Sequence, residues 1–159
     1  MSDFLLKLFK VETINKLPIY KLYPIIESLD ADQRQLIASS YDLKLEGLSL
    51  TEEVEEIYKK ITGEFKNTLM NFDEKEHKSF YDFYNGAVDY SDENVYVNMK
   101  KFTRLGLMYL FLSKSGTYFN FVIPEELIEM YEKLLQSSWL EKLRGESLFF
   151  ICKFLYAKF

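Results

Sequence analysis

Cysteine and long apolar runs are scarce in this chain, and each scarcity excludes a class of protein. The single cysteine, Cys152, cannot form an internal disulfide, which is typical of proteins from a reducing compartment. No apolar run approaches the roughly 20 residues that a membrane-spanning helix needs. The N-terminal segment MSDFLLKLFKVE has an acid at position 3 and lysines at positions 7 and 10, which interrupt the apolar core of any signal peptide. We therefore expect a soluble cytoplasmic protein.

Residues that carry chemistry are equally sparse, so the sequence predicts neither an enzyme nor a metal site. His77 is the only histidine, and one histidine without a second or a nearby cysteine is a poor transition-metal site. A surface histidine paired with a carboxylate such as Asp73 is the simpler interpretation. Cys152 lies among aromatic residues in FFICKFLY, which favours a buried, unreactive thiol. The sequence contains no glycine-rich phosphate loop, no G-x-S-x-G and no H-E-x-x-H, and we predict no cofactor.

Only six glycines and three prolines interrupt the 159 residues, which favours long helices. Two helix starts are marked by capping-box spacing, Ser49 with Glu52 and Asp73 with Glu76. The predicted fold class is mostly α with a small β-hairpin. The predicted helices cover residues 3–16, 19–29, 30–40, 49–63, 73–85, 94–105, 125–136 and 147–158. The predicted strands cover 107–112 and 117–123, joined by the turn SKSG, with Phe119, Phe121 and Ile123 facing the core.

Charge is unevenly distributed along the chain. The net charge of −5 argues against a surface that binds nucleic acid everywhere, so any such contact must come from a local patch. Residues 94–124 are 31 consecutive positions without an acid, and they carry a charge of +4. The rest of the chain must then sum to −9. The four cations of this window are Lys100, Lys101, Arg104 and Lys114.

The predicted helix 94–105 divides these residues between two faces. At about 100° per residue, one side of this helix carries Val95, Met99, Phe102 and Leu105. The opposite side carries Lys100 and Arg104, flanked by Tyr96, Val97 and Lys101. Two like charges four residues apart mildly destabilise an isolated helix, so a phosphate partner would explain the pair. A solvated helix face with ordinary lysines is the simpler alternative.

The element order of helix, polar loop, helix, hairpin and helix resembles a winged-helix domain over roughly residues 72–136. In the segment MKKFTRLGLMYLFLSKSGTYFNFVIPEEL, a recognition helix would end in LGL and run into a two-stranded wing. The resemblance implies DNA binding or protein binding, because domains of this shape do both. The N-terminal pair SLDADQRQLIASSYDLKLEGLSLTEEVEEIYKKI is similar to helix pairs of the SAP and Rho N-terminal type. It is acidic where those modules are basic, at Glu52, Glu53, Glu55 and Glu56, which favours a solvated helix face.

The predicted organisation is a helical N-terminal lobe (1–66) and a winged-helix-like region with C-terminal helices (67–159), which together form one compact unit. Two hypotheses about the function of this unit follow. The first is a small regulator that binds double-stranded DNA through Tyr96, Lys100, Lys101, Arg104 and the wing residue Lys114. The second is a non-enzymatic protein-interaction module, either an adaptor or an acidic inhibitor. The apolar terminal helices could also support self-association.

Overall fold

The computed structural model describes residues 3–112 and 119–136. Within these ranges the chain is mostly helical and carries one antiparallel hairpin, which confirms the predicted fold class. The helices are α1 (Asp3–Phe9), α2 (Leu22–Ser28), α3 (Ala31–Ser40), α4 (Leu50–Met70), α5 (Glu74–Asn85), α6 (Glu93–Arg104) and α7 (Glu125–Gln136). The strands are β1 (Tyr109–Leu112) and β2 (Phe119–Val122). The predicted turn at 113–116 and the predicted helix at 147–158 lie outside the described residues.

Capping boxes start three of the helices, because each satisfies two backbone N–H groups that a helix start leaves without partners. At the start of α5, Asp73 Oδ1 accepts from the Glu76 N–H at 2.8 Å, and Glu76 Oε2 accepts from the Asp73 N–H at 3.0 Å. Ser49 and Glu52 form the same reciprocal pair at the start of α4. Both predicted boxes are therefore confirmed, and a third begins α3.

The prediction of one helix over residues 3–16 is wrong beyond Phe9. Lys10 has a φ of 54°, a left-handed conformation that is common just after a helix end. The chain then extends beside β1, where the Ile14 N–H donates to Leu110 O at 2.7 Å and Ile14 O accepts from the Leu112 N–H at 2.8 Å. These bonds join segments almost 100 residues apart in sequence. Local periodicity carries no information about them.

Helix α4 is longer than predicted, because it continues past Gly63. Ile57, Ile61, Phe65 and Leu69 recur every four residues along it, and all four are buried. Burying a large apolar side chain gains about 1.5–3 kcal/mol, whereas glycine inside a helix costs only about 1 kcal/mol. The helix therefore runs through the glycine, and the regional boundary suggested by the sequence, between residues 66 and 67, falls inside it.

The hairpin begins shortly after α6 and contributes to the core. The register pairs Tyr109 with Val122, Leu110 with Phe121, Phe111 with Asn120 and Leu112 with Phe119. Ile123, which directly follows β2, is buried as predicted. Phe121 is half-buried, and its ring meets that of Phe83 edge-on at 5.2 Å between centroids. The hairpin thus packs against α5.

One apolar core joins the early and late elements of the described chain. Helix α1 packs on α6, α2 packs on α4 and α7, and α3 and α5 both pack on α6. The Leu22 N–H at the start of α2 donates to Glu126 Oε2 at 2.9 Å, and the Glu125 N–H donates to Tyr20 O at 2.8 Å. Among the helices in the described ranges, none is both long and apolar enough to cross a membrane.

Candidate functional site

Helix α6 holds most of the residues that the sequence nominates for function, and both of its ends are fixed by local structure. Asp92 caps the start of α6, where its side chain accepts from the Asn94 N–H at 2.9 Å. Beyond the other end, Gly106 has a φ of 66°, the left-handed conformation in which glycine commonly ends a helix. These two features set the limits of α6 and its turn into β1.

The two sides of α6 differ in burial and charge. Met99 and Phe102 are fully buried, as predicted, whereas Lys101 and Arg104 are exposed and Lys100 is half-buried. Val97 lies among these cations and keeps 53% of its surface exposed. We call this surface the α6 basic face, which consists of Val97, Lys100, Lys101 and Arg104.

The expectation that Tyr96 belongs to this exposed face is wrong. Tyr96 is only 1% exposed, and its ring stacks on Phe9 of α1 with centroids 5.5 Å apart. Its hydroxyl donates to Tyr90 O at 3.2 Å. On an isolated helix Tyr96 lies at the border between the two faces. The packing of α1 on α6 covers this border and buries the Tyr96 side chain. Tyr96 is therefore buried in the contact between these two helices.

Lys101 is exposed but is held by neighbouring residues. Its ammonium forms an ion pair with Glu76 of α5 and lies 5.2 Å from the centre of the Phe72 ring. A cation above an aromatic face is attracted by the negative charge density of that face. These two contacts link α6 to the start of α5, so Lys101 has a structural partner as well as an exposed charge.

Lys100 and Arg104 carry the charge of the basic face that no neighbour in the described part of the chain neutralises. Among the described residues, neither forms an ion pair with a carboxylate. They lie one helical turn apart beside a shallow depression of about 320 Å³. That depression is lined by Ser40, Val97, Lys100, Lys101, Arg104 and Leu105. Lys114, the remaining predicted contact, lies outside the described residues.

A second depression of about 360 Å³ adjoins the first and is more polar. We call it the α3–α4 cleft, and it is lined by Ser40, Tyr41, Asp42, Lys60, Glu64, Asn67, Thr68, Asn71, Phe72, Lys101 and Leu105. The Tyr41 hydroxyl donates to Leu105 O at 2.7 Å, which ties the end of α3 to the end of α6. Burial raises the pKa of Tyr41 to about 12; Thr68 opposes this rise and Glu64 adds to it.

The acidic run on α4 is mostly engaged in local structure. Glu53 pairs with Arg34 at 2.8 Å, and Glu55 pairs with Lys59 at 2.9 Å. Hydrogen bonds from the hydroxyl and N–H of Ser49 hold the pKa of Glu52 below its ordinary value. Glu52, Glu55 and Glu56 are exposed, which fits a solvated helix face, whereas Glu53 is half-buried in its pair with Arg34.

His77 and Cys152 were the residues considered for metal binding or catalysis. Burial lowers the pKa of His77 below 6.5, although Glu76 and Asp73 oppose the shift. Its ring meets Phe72 edge-on at 5.7 Å between centroids. Within residues 3–112 and 119–136, no three histidine, cysteine or acidic side chains are grouped so that they could hold a metal ion. Cys152 lies outside these ranges.

No family model matches this chain, and searches of curated proteins and of solved structures find no significant match. The candidate site therefore rests on its own geometry. The sequence nominated Lys100, Lys101 and Arg104, and the structure brings them together on one surface. Sequence patterns gave no signal for the cleft beside them, because its walls come from α3, α4 and α6.

Proposed function

We propose that this chain is a cytoplasmic, non-enzymatic regulatory protein that binds double-stranded DNA through the α6 basic face. One observation carries the proposal: Lys100 and Arg104 lie one turn apart without a carboxylate partner among the described residues, inside a window of 31 residues that contains no acid. The succession of α5, α6 and the hairpin supports it, because a winged helix uses the same order.

The chemistry of the basic face suits the phosphate backbone. Each cation that neutralises a phosphate releases condensed counterions, and this release supplies most of the non-specific affinity for DNA. The acidic remainder of the chain would repel the duplex elsewhere, which confines binding to this surface. Lys101 contributes less than its neighbours, because Glu76 already neutralises its charge.

A protein partner is the second candidate, and the exposure of Val97 favours it. The depression beside Lys100 and Arg104 has a largely apolar lining that includes Val97 and Leu105. An acidic amphipathic helix could place apolar side chains there and carboxylates beside the cations. The chain would then act as an adaptor or an inhibitor.

Fluorescence anisotropy of a labelled duplex of about 20 base pairs, at about 50 mM salt, separates these candidates. The test variant is Lys100→Glu/Arg104→Glu. The matched control, Lys21→Glu/Lys133→Glu, makes the same change in net charge just before α2 and in the last turn of α7. We expect binding by the parent chain and the control, and at least about tenfold weaker binding by the test variant. Absence of binding by the parent chain, or equal binding by both variants, would refute DNA binding through this face.

A further inference from the structure

We propose that the α3–α4 cleft binds an unpaired nucleobase of a strand whose phosphates lie on the α6 basic face. This inference rests on the proposed function and adds a second element to it, recognition of a single-stranded extension beside a duplex. No sequence motif nominates this cleft, and its walls combine the ends of α3 and α6 with the second half of α4.

Continuity of the two depressions is the first argument. They share Ser40, Lys101 and Leu105, so the two depressions adjoin on one surface of the protein. Of these two depressions, Lys100 and Arg104 line the one beside α6 and not the α3–α4 cleft. A phosphate held there places the next nucleotide of the same strand at the mouth of the cleft.

The charges inside the cleft provide the second argument, because they favour the base of a nucleotide over its phosphate. Lys60 pairs with Glu64 at 3.3 Å, and Lys101 pairs with Glu76, so the charge of each lysine is already partly neutralised. Asp42 forms no ion pair among the described residues, and its carboxylate would repel a phosphate. The same carboxylate can accept hydrogen bonds from the amino group of a base.

The hydrogen-bonding groups of the cleft match a base edge in kind. Asn67 lies in the last turn of α4, and Asn71 caps the end of that helix one turn later, with Thr68 between them in sequence. Side-chain amides present both donors and acceptors, as the edges of bases do. The side-chain amide of Asn67 is oriented by its hydrogen bond from Nδ2 to Glu64 Oε2 at 3.2 Å. Its side-chain oxygen, Oδ1, can then accept from a ligand.

The walls of the cleft are fixed by contacts that are already present. The Tyr41 hydroxyl bonded to Leu105 O joins α3 to α6, and Lys101 joins α6 to Glu76 and Phe72. A preformed site loses less entropy on binding than one that must order itself. The cleft therefore needs no rearrangement of these helices to accept a planar ring.

The experiment compares three labelled duplexes in the same anisotropy assay: blunt, with a short single-stranded extension, and with an abasic extension of the same length. We expect the parent chain to bind the extended duplex about fivefold more tightly than the blunt one, from one or two net hydrogen bonds to a base. The abasic extension should bind like the blunt duplex. This comparison uses one protein and does not depend on the folding of any variant.

The variant Asp42→Asn/Asn71→Ala tests whether the preference for the single-stranded extension arises in the α3–α4 cleft. Both residues are exposed, and asparagine tolerates the positive φ of 55° at position 42. This variant should lose the preference for the extension and keep its binding to the blunt duplex. Asp32→Asn/Gln35→Ala removes the same groups from the exposed side of α3 and should keep the preference.

The outcomes separate this inference from the proposed function. Equal affinity for blunt and extended duplexes, with both dependent on Lys100 and Arg104, would overturn the cleft and leave DNA binding intact. A preference that persists in Asp42→Asn/Asn71→Ala, or that the abasic extension reproduces, would also overturn the cleft. Failure of every duplex to bind would overturn both proposals.

Discussion

Replacing Gly106 by alanine should destabilise the fold far more than the same change at Gly86, although the two backbones are alike. Their φ values are 66° and 68°, so alanine pays a similar conformational cost at each. The left-handed conformation costs alanine roughly 1–2 kcal/mol. Alanine also restricts the unfolded chain more than glycine does, and this restriction offsets about 0.4–1 kcal/mol of that cost. The net loss expected at Gly86 is therefore about 1 kcal/mol.

The surroundings distinguish the two glycines. A Cβ at Gly106 would lie 2.5 Å from Ile61 Cδ1, 3.1 Å from the Tyr109 hydroxyl oxygen and 3.3 Å from Ile37 Cγ2, whereas a Cβ at Gly86 meets nothing within 4 Å. These neighbours are all buried, so relief requires the core to shift. Overpacking of this kind costs about 1–3 kcal/mol, which raises the total for Gly106→Ala to about 2–4 kcal/mol.

Urea denaturation followed by circular dichroism measures both free energies of unfolding. Gly106→Ala should lower the midpoint clearly more than Gly86→Ala, with similar slopes for the two variants. Losses that agree within about 0.5 kcal/mol would refute the reasoning, because such a difference is at the level of ordinary surface substitutions. That result would mean that Ile61 and Ile37 accommodate the extra methyl group without strain.

Two further predictions concern buried polar groups. Arg34→Met should lower the free energy of unfolding, measured by urea denaturation, by about 2–3 kcal/mol, because the Glu53 carboxylate and Leu29 O lose their partner. Lys59→Met breaks an exposed ion pair and should change stability little. Equal losses in the two variants would contradict this prediction. Burial raises the pKa of Tyr41, Tyr109 and Tyr131 above 10 in the folded state. Stability should therefore hold below pH 10 and fall above it, by up to about 1.4 kcal/mol per pH unit for each tyrosine. Tyr109→Phe should retain neutral-pH stability and reduce this alkaline slope, and an unchanged slope would contradict the assignment to Tyr109.

Local signals predicted the starts of α4 and α5 and the order of the elements that the structure describes. The capping boxes at Ser49 and Asp73 depend on side chains only three residues apart. The predicted helix 49–63 ends too early, because the burial of Phe65 and Leu69 favours continuation of α4 past Gly63. Local chemistry sets the helix starts, and packing decides how far this helix extends.

The candidate site was only partly predictable for the same reason. Helical geometry placed Lys100 and Arg104 opposite Met99 and Phe102, as the structure shows. It misplaced Tyr96, because the covering helix α1 lies almost 90 residues earlier in the sequence. The pairing of Lys101 with Glu76 and the walls of the α3–α4 cleft depend equally on contacts between distant segments.

The salt dependence of duplex binding tests the central claim most directly, because it counts phosphate contacts. Each neutralised phosphate contributes about −0.9 to the slope of log K against log salt concentration. Lys100→Gln/Arg104→Gln should therefore reduce the magnitude of the slope by about 1.8 relative to the parent chain. The matched pair Lys21→Gln/Lys133→Gln should leave it unchanged. A slope that Lys100→Gln/Arg104→Gln does not alter would contradict the account, because the phosphates would then lie elsewhere.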